Sequence, residues 1–298
     1  MNNFKKNILA VGSIAFDTIE TAKGKREKIL GGSSTYFSVS SSYYTDVSLI
    51  GIVGKDFSKE NWNIFNKYNI NVDSVEQSDG MTFSWGGKYN DDFSRRDTLF
   101  TELGVFEKFK PNIVNNHDKP ILYLGNIQPE LQFDVISKVE NPYLIAADSM
   151  NLWIDLFPND VWKLISKVNI LFLNDEEALQ LTNKDVKQAA DEFLSKGPDI
   201  VIIKMGGDGA LLATKNKKVH ISVVPKTPVI DPTGAGDSFA GGFLGYVAVH
   251  GMNNIVHAVK HGTAIASYTV SNFGVDNLSK IKNDDFKEKL SLITVKDF

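Results

Sequence analysis

Short apolar runs recur along this chain with helix-like segments between them, and that alternation constrains the fold more than any other feature. The runs cover residues 8–11, 47–53, 121–124, 143–146, 170–173 and 200–203. Apolar stretches this short, closed by polar residues or glycine, read as strands buried on both faces. Segments 57–68, 152–167, 176–181 and 187–194 read as helices. Strand–helix alternation implies right-handed βαβ units, and therefore a doubly wound, mostly parallel sheet with helices on both sides. The 298 residues would suit about two domains, or one large α/β domain with insertions. The second reading is adopted, with residues 1–298 as one unit.

Two stretches break the rhythm. Residues 16–30 look like a hairpin turning at Lys23-Gly24-Lys25, and residues 81–102 alternate aromatic and polar side chains around Gly86-Gly87. Such alternation marks strands with one face open. We expect the two insertions to pair as a small β-sheet lid beside the main sheet; two separate surface hairpins are the plainer alternative.

Composition excludes several functions. With 32 basic and 36 acidic residues the formal charge is −4, which disfavours a general nucleic-acid binder. No cysteine is present, so disulfides, thiolate nucleophiles and cysteine zinc sites are ruled out. The apolar run near Lys5 and Lys6 is too short for a signal-peptide core. The longest uncharged apolar stretch, 239–249, is interrupted by glycines and falls well short of a membrane span. A cytoplasmic protein without membrane association is expected.

The richest chemistry lies in Asp231-Pro232-Thr233-Gly234-Ala235-Gly236-Asp237, at the start of a helix read as about 237–250. Glycines there let a ligand approach the backbone, and free amides at a helix start form an anion site. Such a site can stabilise charge on a transferring phosphoryl group. A carboxylate beside it repels phosphate but suits a base that takes a proton from an attacking hydroxyl. Alone, an Asp in a first helical turn more often just complements the helix dipole.

The whole string through Gly242 resembles the C-terminal signature of the ribokinase family of carbohydrate kinases, also called the PfkB family. The resemblance implies that Asp237 is the catalytic base, that amides of Ala235, Gly236 and Asp237 form an anion hole, and that Thr233 and Gly234 contact nucleotide phosphates. It extends over most of the chain. The segment from Gly12 to Asp17 resembles the family's substrate-binding turn, where Asp17 would bind substrate hydroxyls. Gly31-Gly32-Ser33 resembles its Gly-Gly substrate motif, with Ser33 where the family often has Asn. Asn174 and Glu177 match its Asn-x-x-Glu pattern, implying a role for Glu177 in positioning magnesium through water. Lys204, Gly206, Gly207 and Gly209 resemble its nucleotide-side loop, and His261 begins the segment expected to wall an adenine pocket. Read without the family, these are respectively a strand-end Asp, a turn, a helix cap and a tight hairpin. Asp148 and Asn151 end another strand and are weaker candidates. No GxxxxGK[ST] segment exists, so phosphate must be held without a Walker loop.

The implied reaction is ATP- and magnesium-dependent phosphorylation of a hydroxyl on a small sugar or polyol. A monovalent cation near the anion-hole loop is left open. A nucleoside is the alternative acceptor, and a non-catalytic sugar- or nucleotide-binding regulator is the alternative from another class. Phe83, Trp85, Tyr89, Phe93 and Phe100 suit either stacking on a base or sugar, or a homodimer contact through the lid. Arg95-Arg96-Asp97 reads as a solvent-exposed run, the sharper option being an arginine that closes on an anion. His257 and His261 read as a solvated helix face rather than metal ligands.

Overall fold

The computed structural model describes residues 4–93, 95–114 and 118–298. Position 94, inside the second insertion, lies outside the described residues. In chain order the elements are β1 (Ile8–Val11), β2 (Ala15–Thr21), β3 (Gly24–Gly31), α1 (Ser33–Ser41), β4 (Val47–Gly54), α2 (Lys59–Lys67), β5 (Asn71–Ser78), β6 (Phe83–Tyr89) and β7 (Arg96–Glu102). Then come β8 (Ile121–Leu124), α3 (Pro129–Lys138), β9 (Leu144–Ala147), α4 (Asn151–Leu156), α5 (Pro158–Ile165), β10 (Ile170–Asn174), α6 (Asp175–Thr182) and α7 (Val186–Lys196). The chain ends with β11 (Ile200–Lys204), β12 (Ala210–Thr214), β13 (Lys217–Ile221), α8 (Ala235–His250), α9 (Ile255–Thr269), α10 (Asn283–Leu292) and β14 (Val295–Asp297).

Ten strands form one sheet in the order β14-β13-β12-β11-β10-β9-β8-β1-β4-β5. Pairing is parallel from β5 to β11 and antiparallel from β11 to β14. Alternate residues of each parallel strand serve opposite faces. Ile8, Ala10, Ile170 and Phe172 meet α1, α2, α8, α9 and α10 on one side. Leu9, Val11, Leu171 and Leu173 meet α3 to α7 on the other. Every apolar run therefore has two helical layers to bury against, which is why those runs are continuous rather than alternating.

After β1 the chain builds outward through β4 and β5, then returns to β8 on the other side of β1. The sheet order reverses there, and in open α/β sheets the crevice at the carboxyl ends beside such a reversal is where ligands bind. The two insertions join as one four-stranded sheet, β3-β2-β6-β7. Its inner face puts Ile19, Tyr89 and Phe273 in a small core with Trp85 and Ile230 packed on it. Thr21 Oγ1 donates to the Ile230 carbonyl at 3.0 Å, and the Tyr89 and Thr233 hydroxyls lie 3.1 Å apart. The lid thus rests on the loop before α8.

Some elements differ from the sequence reading. The expected helix 152–167 is two helices, because Phe157 leaves helical geometry (φ −136°, ψ 50°) ahead of Pro158. Edge strand β5 is largely polar and exposed, so it carries no apolar run. No helix among the described residues is long and apolar enough to cross a membrane.

Candidate active site

Helix α8 opens on Gly234, which has φ 74° and ψ 3°. A Cβ at that position would lie 2.3 Å from the Tyr36 ring, so both conformation and space demand glycine. No side chain caps the helix. The Ala235 amide turns back to the Pro232 carbonyl at 3.2 Å, which leaves Gly236 and Asp237 as first-turn amides without an intrahelical acceptor. Gly236 presses on Lys204, whose Nζ would stand 3.0 Å from a Cβ there.

Lys204 ends β11 opposite Asn174 at the end of β10. Its Nζ makes an ion pair of 2.7 Å with Asp148 Oδ2, and the two side chains are only 17% and 5% exposed. Asp148 follows β9, and its other oxygen accepts the Ser149 amide at 3.0 Å. Glu177, also buried, is locked to Asn174 by a reciprocal cap. The Asn174 amide donates to Glu177 Oε2 at 2.8 Å, and the Glu177 amide donates to Asn174 Oδ1 at 2.7 Å. The helix-cap and site readings of Asn174 and Glu177 therefore coexist.

These groups perturb one another. Asp237 keeps a solvent-reaching edge, yet burial pushes it up to about 7; Asp148 adds to the rise and Lys204 opposes it. Burial also raises Glu177, against the pull of Lys204. For Lys204, burial favours the neutral amine, but Asp148 and Glu177 outweigh it and hold the ammonium. One firmly charged lysine thus sits among three carboxyl groups at the start of α8.

Asp17, on β2, is 3% exposed and near enough to Asp237 to add to its rise. A Cβ on Gly31 would fall 1.9 Å from Asp17 Oδ2, so the missing side chain is what seats this carboxyl. Burial raises Asp17 to about 7; the Gly32 amide opposes the rise, Asp231 adds to it and Arg96 opposes it. Ser33 engages Ser13: the Ser13 amide donates to Ser33 Oγ at 3.2 Å, and the Ser33 amide donates to Ser13 Oγ at 3.0 Å. Its hydroxyl therefore staples the turn after β1 to the start of α1. Asp231 is fully buried. Its Oδ1 accepts the Thr233 amide at 2.9 Å, while Oδ2 has no hydrogen-bond partner.

Loop 204–209 is the hairpin between β11 and β12, closed by the Met205 amide on the Gly209 carbonyl at 2.8 Å. A Cβ on Gly206 or Gly207 would meet nothing within 4 Å, so this loop borders open space next to Lys204. His261 is not brought to the cluster. It sits between α1, α8 and α9, with Nδ1 2.9 Å from Tyr44 Oη and its ring 4.5 Å from that of Tyr246. Burial lowers it to about 4, helped by His250, His257 and Lys260, so the expected solvated face is wrong for His261. Asn151 is also turned away, donating to Gln180 Oε1 at 2.8 Å. Among the described residues no group of three or more His, Cys, Asp or Glu is arranged to hold a metal ion.

The sequence reading missed Tyr36, whose buried hydroxyl has no partner and whose ring underlies Gly234. The Arg95-Arg96-Asp97 run is exposed along its length, as expected. Arg95 does pair outward with Asp97 at 2.9 Å, but Arg96 lies over the inward Trp85 ring at 5.2 Å. The strand parity of β7 against β6 was the available signal. The lid aromatics divide similarly: Trp85, Tyr89 and Phe93 belong to the inner core, whereas Phe83 stacks on Phe106 at 5.7 Å.

A glycine-capped helix carrying a first-turn carboxylate thus stands at the carboxyl ends of β9 and β11 in a doubly wound sheet, with a β lid resting on the loop before it. The profile of the pfkB family of carbohydrate kinases matches residues 5–282, and the chain belongs to that family. It is 28% identical to a cytidine kinase of Thermococcus kodakarensis over 247 residues, 80% of this chain and 87% of the relative. The nucleoside kinase structure of Methanocaldococcus jannaschii superposes with a TM-score of 0.78 at 23% identity, covering 97% of this chain and 99% of that one. A putative ribokinase II of E. coli in complex with ATP and Mg2+ gives 0.78 at 16% identity, over 96% and 99%. These structural likenesses establish the ribokinase-like fold.

Proposed function

We propose that the chain transfers the γ-phosphoryl group of ATP to a hydroxyl of a ribosyl compound, with Asp237 as general base. The observation that carries this reading is Asp237 in the first turn of α8, raised to about 7 by burial, beside the glycine-made anion site and facing the same cleft as Asp17. A base poised near neutral pH is suited to accept a hydroxyl proton as that oxygen attacks. Amides of Gly236 and Asp237 would stabilise charge on the phosphoryl oxygens. Asp17 would hold the acceptor's hydroxyls, seated by Gly31 and Gly32, with Ser33 keeping the turn in place. Tyr89 and Thr233 tie the closed lid to the phosphate loop, so closure would also exclude water.

The residues fit ATP with magnesium. The open space over Gly206 and Gly207 can admit a nucleotide, and the oxygen-rich donor set suits a hard cation that keeps its waters. Glu177 and Asn174 would hold magnesium through water, and the ion when bound would neutralise charge on the β- and γ-phosphates. The orphan Oδ2 of Asp231 supports a monovalent cation at the loop before α8. We favour a nucleoside over a free sugar because the lid's inner core is aromatic, with Trp85, Tyr89 and Phe93 on the side that covers the loop before α8. Similarity to a cytidine kinase points the same way. A cytoplasmic enzyme fits the use of ATP. The outer lid face, with Leu99 half-exposed, is the surface offered to a second copy in a homodimer.

The test is a panel of sugars and nucleosides with ATP and magnesium, read by coupled ADP release. Turnover of a nucleoside above all free sugars is expected. Failure to phosphorylate any acceptor, with thermal shifts still seen, would favour a regulator.

A further inference from the structure

Helix α3 buries Pro129, Gln132 and Val135 on the sheet face opposite α8. Gln132 is the polar member of that stripe and is 1% exposed. A polar side chain is tolerated in such a place where hydrogen bonds replace its water. Its Nε2 donates to the Gly125 carbonyl at 2.9 Å and to the Asp148 carbonyl at 3.1 Å, with the Leu124 carbonyl at 3.4 Å. Three acceptors around one atom require a donor, which fixes the orientation of the amide.

Those carbonyls stand at the carboxyl ends of two strands. Leu124 ends β8, Gly125 follows it, and Asp148 follows β9. One side chain therefore ties two strand ends together at the edge of the sheet where the candidate site lies. Asp148 is the member with chemistry. Its amide donates to the Leu124 carbonyl at 2.9 Å, its Oδ1 accepts the Ser149 amide at 3.0 Å, and its Oδ2 pairs with Lys204 at 2.7 Å. The bond from Gln132 is the one of these that comes from a helix, and it holds the main chain rather than the carboxylate.

Several elements send groups toward Asp237. Asp148 follows β9, Lys204 ends β11 and Asp17 lies on β2. The buried phenols of Tyr36 on α1 and Tyr123 on β8 also feel its charge. After burial itself, Asp148 contributes most to the rise of Asp237, and Lys204 opposes that rise while pairing with Asp148.

We propose that Gln132 is a positioning residue for the reaction: it holds the turn after β9 so that Asp148 occupies Lys204 and stays near Asp237. It does this without touching substrate. Once the turn relaxes, Asp148 withdraws and Lys204 is released toward Asp237. Losing a negative neighbour and gaining a freer cation both favour the ionised carboxylate. The base is then deprotonated at lower pH and is also a weaker base.

The inference rests on the kinase reading, so one arm of its test needs no turnover. Gln132→Met keeps the length of the side chain and removes the donor. Its kcat should fall on the order of tenfold at alkaline pH, with both KM values little changed. The rising limb of kcat should move to lower pH, opposite to the shift expected of Lys204→Met. A merely structural loss lowers kcat alike at every pH and moves no limb. In an Asp148→Asn background, Gln132→Met should leave the limb where Asp148→Asn alone puts it, because the group it acts through is gone. Gln132→Asn keeps the amide one methylene short and supplies the same readings if Gln132→Met does not fold. In the ligand-free protein, carboxyl carbon NMR follows Asp237 directly, and its titration should also move to lower pH. A limb or a titration that stays put, or a shift that persists in Asp148→Asn, overturns the proposal and leaves the kinase reading intact. Failure of both variants to fold makes Gln132 a stability residue and overturns it too. A protein that phosphorylates no acceptor, yet shows the shifted titration, sinks the kinase reading and keeps this one.

Discussion

Replacing Asp237 with Asn keeps the size of the side chain and removes its ability to accept a proton. The magnitude follows from the surroundings. Burial, reinforced by Asp148 and opposed by Lys204, carries Asp237 from 3.8 to about 7. That difference corresponds to about 4 kcal/mol set against the ionised form. A base acts only when deprotonated, so kcat should climb with pH and level off above about 7. Stability has the opposite sign. Between about pH 4 and pH 7 the folded chain keeps a proton that the unfolded chain has released. Asp237 thus favours the fold at acid pH, and that contribution is lost as pH rises through the folded value.

Asp237→Asn should accordingly lower kcat by ~10²- to 10⁴-fold. ATP affinity by calorimetry should stay near the parent's, and the melting temperature should rise more at pH 8 than at pH 5. Coupled ADP release across a pH series, with scanning calorimetry at the two pH values, measures all of this. A variant within about tenfold of the parent's kcat would refute the assignment of the base. So would residual turnover that kept the same rising limb near neutrality.

Lys204→Met strands the buried Asp148 and Glu177 carboxylates and should destabilise the fold by about 3–5 kcal/mol. Chemical denaturation should find the loss larger at alkaline than at acid pH, where carboxylates protonate. In the same variant the rising limb of kcat should move to higher pH, because Lys204 no longer opposes the upward shift of Asp237. Gly31→Ala puts a Cβ 1.9 Å from Asp17 Oδ2, so acceptor KM should rise at least tenfold while ATP KM holds. Equal change in both KM values would mean that Asp17 does not serve the acceptor. Asp231→Asn should abolish any stimulation of turnover by potassium; a retained response would place the cation elsewhere.

What could be read from the sequence follows from how locally each feature is determined. A strand buried on both faces advertises itself, so residues 8–11 and 170–173 needed no tertiary information. The glycine turn at Gly234 is equally local, because a positive φ against the Tyr36 ring admits only one residue type. The pairing of the two insertions was also legible, since each has one face that must be covered. Strand β5 was not legible: as an edge strand it alternates weakly and exposes most of its side chains. The Lys204–Asp148 pair was equally hidden, because it depends on β9, β10 and β11 being adjacent in the sheet. Motifs name the strand ends, but only the sheet order brings a residue after β9 to one that ends β11.

Arg96 marks the limit of local reading most sharply. Sequence puts Arg95 and Arg96 side by side with one shared negative neighbour, and any charge count treats them as equivalent. Both stay exposed, but strand parity gives them different neighbours: the register Tyr89 to Arg96 lays one guanidinium over the Trp85 ring and leaves the other paired with Asp97. A slip of one residue in the turn between β6 and β7 would exchange the two. The register is set by that turn and by the irregularity between Gly86 and Gly87, where the Trp85 ring takes the space a side chain would need. The glycine at position 87 is thus what lets the indole lie across the strand beneath Arg96. It follows that a bulky residue at position 87 should displace the Trp85 indole and raise the acceptor KM, and an unchanged KM would show that the lid's inner ring does not serve the acceptor.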